Sequence, residues 1–85
     1  MVPRYFFHTR DGDGLALDDE GSELPSLDAA RDEAIASAKL LIAQALLKGV
    51  PLNEAMARSY EVSDGVRQVF SVTFAEAADA PDHRP

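Results

Sequence analysis

The chain reads as an α+β domain in the order strand, strand, helix, strand, strand, with a four-stranded antiparallel sheet and one long helix packed on one face. Three observations predict it. The stretch Ser26–Gly49, SLDAARDEAIASAKLLIAQALLKG, is the one long helical signal. Asp-Gly pairs at Asp11-Gly12-Asp13-Gly14 and at Asp64-Gly65 lie between apolar runs, the sign of hairpins whose turns need positive φ angles. At 85 residues, a chain buries about 60–65% of its unfolded surface and cannot divide that core, so one helix must cover one sheet.

Arg4–Arg10, RYFFHTR, is rich in aromatics and predicts a strand. Alternation puts Tyr5, Phe7 and Thr9 on one face and Arg4, Phe6, His8 and Arg10 on the other. The second set is the more polar, so the first is expected on the core. After the Asp-Gly turn, Leu15-Ala16-Leu17-Asp18 is the expected return strand with Leu15 and Leu17 inward, stopped by Asp18-Asp19-Glu20-Gly21. Glu23-Leu24-Pro25 is a connector, because proline disfavours helix for the residue before it.

Ser26 is placed to cap the helix, and Asp28, Asp32 and Glu33 load its first turns with anions that the helix dipole favours. Lys48, Gly49 and Pro51 specify the far end. On a helical wheel Leu27, Ala30, Ala34, Ile35, Ala38, Leu41, Ile42, Ala45 and Leu46 form the core stripe. A second row, Ala29, Ala36, Leu40, Ala43 and Leu47, runs along the opposite side, where a monomeric helix is normally charged.

Leu52–Arg58 is expected as a loop or a single turn. Ser59–Ser63 and Val66–Phe74 alternate as strands, with Tyr60 and Val62 inward on one and Phe70, Val72 and Phe74 inward on the other. Phe6, His8, Arg67, Val69 and Thr73 then share the open sheet face. Residues 1–75 form the expected compact domain and 76–85, small, polar and proline-bearing, a flexible tail.

Net charge is −7, and the acids crowd between positions 11 and 33 with only Arg31 opposing them. Such a field repels phosphate backbones and anionic lipid surfaces, which argues against nucleic acid and membrane as partners. A weak basic and aromatic group, Arg4, Phe6, His8, Arg10 and Arg67, keeps nucleic acid or a small ligand on the open sheet face as an alternative. With no cysteine, thiolate metal sites and cysteine nucleophiles are excluded. No apolar run approaches the ~20 residues of a bilayer span and no signal segment opens the chain, so a soluble cytoplasmic protein is expected.

His8, Asp11, Asp13 and Asp18 invite a metal, but a calcium loop opening at Asp11 needs glycine at its sixth position and glutamate at its twelfth, where Ala16 and Ser22 stand. Turn-forming aspartates account for the cluster better. His8 with Asp11 or Asp18 could be drawn as an acid–base pair. No nucleophile motif, phosphate loop or second internal histidine supports it, since His83 lies in the tail. No catalytic residue, cofactor or metal is therefore expected. The expected interface is Ala36, Leu40, Ala43 and Leu47, a row suited to a self-complementary homodimer or to an unidentified protein partner.

Pro3-Arg4-Tyr5-Phe6-Phe7-His8, Arg10-Asp11-Gly12, Asp18 to Gly21, Leu24-Pro25 and Ala29-Ala30-Arg31-Asp32-Glu33-Ala34 together resemble an uncharacterised bacterial family of short proteins classed as a domain of unknown function. Tyr60-Glu61-Val62, Asp64 and Val69 to Phe74 resemble that family's end. The resemblance implies a small stand-alone α+β domain and assigns no activity, ligand or catalytic residue. Leu52–Arg58 departs from the family's pattern by being longer and more helical.

Overall fold

A computed structural model describes residues 2–81. The elements run β1 (Arg4–Asp11), β2 (Gly14–Ala16), β3 (Ser22–Glu23), α1 (Leu27–Leu47), α2 (Leu52–Ala55), β4 (Ser59–Ser63), β5 (Gln68–Thr73) and α3 (Phe74–Asp79). The architecture is α+β, an open antiparallel sheet with one long helix on one face. Strand order is β2-β1-β4-β5, and the fifth strand, β3, pairs with the other end of β1. β3 lies in the segment expected as a connector. Two residues of ladder, Arg4 with Glu23 and Tyr5 with Ser22, were too short to show a periodicity.

The helix starts and stops where its sequence says it should. Ser26 Oγ accepts the Ala29 N–H at 3.1 Å, and Gly49 takes the left-handed conformation, φ 88°, just beyond the last turn. The buried face of α1 is almost all alanine: Ala30, Ala34, Ala38 and Ala45, with Ile42. Small side chains let α1 come close to its neighbours, and its nearest backbone contacts are with α3 and α2. Leu27 and Leu46, expected in the core, are exposed. A helix of 21 residues is about 31 Å long at ~1.5 Å per residue, whereas the five residues of β4 cover about 17 Å at ~3.4 Å each. The buried positions of the helix run from Ala30 to Ala45.

Beneath α1 an aromatic chain fills the core. Phe7 meets Tyr60 edge-on with ring centroids 6.0 Å apart, and Tyr60 meets Phe74 at 5.2 Å. The inward faces of β1 and β4 are as expected, with Tyr5, Tyr60 and Val62 buried and Phe7 half-buried. Tyr60 keeps its hydroxyl satisfied through a 2.7 Å hydrogen bond with Ser37 Oγ on the flank of α1. Burial pushes the Tyr60 phenol above its ordinary pKa, and the Ser37 bond opposes part of that rise.

Leu15 and Leu17 do not enter the core. β2 pairs Arg10 with Leu15 and Thr9 with Ala16, and directly paired residues share a face, so Leu15 stands on the open side with Arg10. A one-residue change of register exchanges the two faces of a strand. The second hairpin also departs from strict alternation, since Val62 pairs with Phe70 but Ser63 pairs with Gln68. That bulge turns Val69, expected on the open face, towards the core, where it is partly buried.

The start of 76–85, expected as a flexible tail, is helical as far as Asp79. Thr73 and Glu76 form a reciprocal capping box, and Phe74 and Ala77 are buried against the core. Lys39 Nζ ties this helix to α1 by donating to the Ala80 carbonyl at 2.7 Å. Residues 82–85 of the expected tail, His83 among them, lie outside the described residues.

Candidate functional site

The outer row of α1 follows from helical geometry alone. With Ala30, Ala34, Ala38, Ile42 and Ala45 buried on the sheet, residues half a turn away point outward at 100° per residue. Leu40 is 58% and Leu47 88% exposed. Ala43 between them is exposed, and Ala36 at the upper end is half-buried. The four residues therefore share one side of one rigid helix. Leu46 beside them and Leu52 at the start of α2 extend the exposed apolar surface around the helix C-terminus.

The open sheet face is built differently. Phe6 and His8 project from β1 with nearly parallel rings, 6.4 Å between centroids. Arg4 donates to the Glu20 carbonyl at 2.8 Å and to Glu23 at 3.2 Å. Arg10 is held by Glu61 across β4, and that bond holds the Glu61 carboxyl below its usual range. Two of the cations that a phosphate backbone would need are thus already neutralised. Arg67 stands apart, in the β4–β5 loop.

Asp18 is a residue whose role the sequence did not disclose. Between β2 and β3 the chain leaves the edge of β1, and the Phe7 N–H there would have no strand to bond to. Asp18 Oδ2 accepts it at 3.1 Å, while Oδ1 accepts the Glu20 and Gly21 N–H groups at 3.2 and 3.1 Å. Partial burial pulls the Asp18 carboxyl up, but the N–H groups of Phe7, Gly21 and Glu20 together outweigh it and hold the group below the usual carboxylate range. The Asp18 backbone N–H donates to His8 Nδ1 at 3.0 Å. Gly21 completes the tuck at φ 70°, where an added Cβ would lie 2.9 Å from the Phe6 ring.

This arrangement assigns His8 and Asp18 to holding a strand edge. An acid–base pair would set the carboxylate against a ring N–H, whereas here the ring accepts from the backbone and the carboxylate is engaged by three amides. Asp11 and Asp13 line a shallow open recess of about 230 Å³ at the first turn, with Gly14, Leu15 and Ala16. His8 is not among its walls. Asp11 Oδ1 there accepts the Asp13 N–H at 2.7 Å, a turn-stabilising bond. Among the described residues no three His, Asp or Glu side chains are grouped to hold a metal ion, and no helix is long and apolar enough to cross a membrane.

No curated protein and no solved structure matches the chain. The family described as a domain of unknown function, DUF6894, matches residues 4–75. That span runs from the first residue of β1 into α3 and includes the β1 edge, the capped helix and both hairpins, so the chain belongs to the DUF6894 family of domains of unknown function.

Proposed function

We propose that this domain is a non-enzymatic protein–protein interaction module of the bacterial cytoplasm that self-associates through Ala36, Leu40, Ala43 and Leu47. The observation that carries the reading is the exposure of Leu40 and Leu47 at 58% and 88% on the side of α1 turned away from the sheet. A solvated helix face is ordinarily polar. Here Leu40, Leu46 and Leu47 are exposed in the helix's second half while Ala38 and Ala45 are buried.

The magnitude sets the kind of assembly to expect. Two leucines from each copy contribute about 1.5–3 kcal/mol apiece on full burial, against roughly 4–15 kcal/mol lost to association. Such a row supports a weak dimer whose population follows protein concentration. Sedimentation equilibrium between about 10 and 200 μM tests it: the wild-type mass should rise towards twice the monomer, and Leu40→Glu with Leu47→Glu should abolish the rise. A wild-type chain that stays monomeric throughout would end this reading. The open sheet face, with its Phe6–His8 stack, is the second candidate. It would take a base or aromatic ligand, and it is the weaker one because Arg4 and Arg10 are already paired.

A further inference from the structure

The outer row has an internal symmetry that specifies how a second copy would lie. Leu40 and Ala43 are equally far from a point level with Leu41 and Ile42, and so are Ala36 and Leu47. Resting on the self-association proposed above, we infer that the two copies of α1 pack antiparallel about a two-fold axis that passes between them at that level. Each leucine then faces an alanine of the other copy, Leu40 against the partner's Ala43 and Leu47 against the partner's Ala36. Large side chains fill the spaces left by small ones, and the helix axes approach to about 8 Å.

Charge selects this orientation over the parallel one. Asp28, Asp32 and Glu33 all lie in the N-terminal half of α1, and Lys48 caps its C-terminus. A parallel pair would bring both sets of carboxylates together at one end, where like charges repel. An antiparallel pair sends them to opposite ends and also sets the two helix dipoles head to tail. Lys48 then comes level with residue 35 of the other copy, about 3 Å along the axis from the partner's Glu33.

Both groups project from the same flank of the outer row, and a two-fold axis perpendicular to the helices preserves that flank. Glu33 and Lys48 are exposed, and neither belongs to an ion pair among the described residues. The dimer therefore carries two equivalent Lys48–Glu33 contacts, one at each end of the leucine–alanine seam.

The absence of cysteine from the chain makes single-cysteine crosslinking unambiguous. An equal mixture of Ala36→Cys and Leu47→Cys chains should form a disulfide-linked heterodimer under mild oxidation. Leu47→Cys alone should not, because its two copies would sit about 16 Å apart along the axis, beyond the ~7 Å that a disulfide can bridge. Lys48→Glu should weaken the dimer on the order of fivefold by sedimentation, and adding Glu33→Lys should restore it.

Crosslinking of Leu47→Cys with itself, as fast as in the mixture, would overturn the antiparallel register and leave self-association standing. Failure of the charge exchange to restore affinity would also overturn the inferred contact. A wild-type chain that sediments as a monomer at 200 μM would remove the dimer and its register together.

Discussion

The two sides of α1 are built from the same residue types in opposite roles. Facing the sheet, Ala30, Ala34, Ala38 and Ala45 are buried, and bulk is supplied from the strands and α3 by Tyr60, Val62, Val72 and Phe74. Facing away, leucines stand at the surface with alanines between them. The difference teaches that apolar character on a helix does not by itself say which face is the core. What decides is the space opposite: a sheet rich in aromatic residues leaves room for methyl groups, and the leucines are left over.

The comparison can be broken most sharply by moving bulk from one side to the other. Ala38→Leu, at a fully buried position, should cost about 2–3 kcal/mol by overpacking, read as a fall in the urea midpoint at constant slope. Ala43→Leu, the same substitution on the outer side, should change stability by less than about 0.5 kcal/mol. Equal effects at the two positions would mean that the sides are not distinct.

A smaller effect tests whether stability is also held at the edge of β1, where Asp18 accepts the Phe7 N–H. Asp18→Ala strands the Phe7, Glu20 and Gly21 amides and should cost on the order of 1–2 kcal/mol. The pH dependence has a definite sign. Because the folded-state carboxyl lies below its ordinary range, its contribution is fully present above about pH 4 and is lost as pH falls through the folded value. Between pH 5 and pH 3 the wild type should therefore lose more stability than the Asp18→Ala chain does. An equal loss would show that the carboxylate carries none of the acid sensitivity.

On the flank between the two sides of α1, Ser37→Ala removes the partner of the Tyr60 hydroxyl and should cost about 1 kcal/mol. Smallest in stability, and most telling for function, is Leu40→Glu with Leu47→Glu. Its urea midpoint at low protein concentration should stay within about 0.5 kcal/mol of wild type, while its sedimenting mass no longer rises with concentration. A large loss of stability would instead place those leucines in the monomer's own packing.

Much of the fold was legible because it is written locally. The Ser26 cap, Asp28 in the first turn, Gly49 and Pro51 bound α1 correctly, and the inward faces of β1 and β4 follow from alternation over several residues. α3 carries a local signal too: Thr73-Phe74-Ala75-Glu76 has the spacing of a capping box. The polar, alanine-rich composition that follows it points to a tail and masks that signal. Leu15, Val69 and Asp18 were not legible, since a register, a bulge and an amide left without a strand exist only once β1 has neighbours.

For the candidate surface the division is similar. A helical wheel separates Ala36, Leu40, Ala43 and Leu47 from the core stripe without coordinates, because the period of 3.6 residues is a property of the backbone. The sequence by itself thus determined the long helix and its ends, the strands β1, β4 and β5, and the existence of two apolar rows on α1. Only the tertiary structure decided which row is covered and that Leu15 faces solvent. Those outcomes depend on the depth and register of the surface that the helix and strands meet, and that surface is assembled from residues distant in the chain.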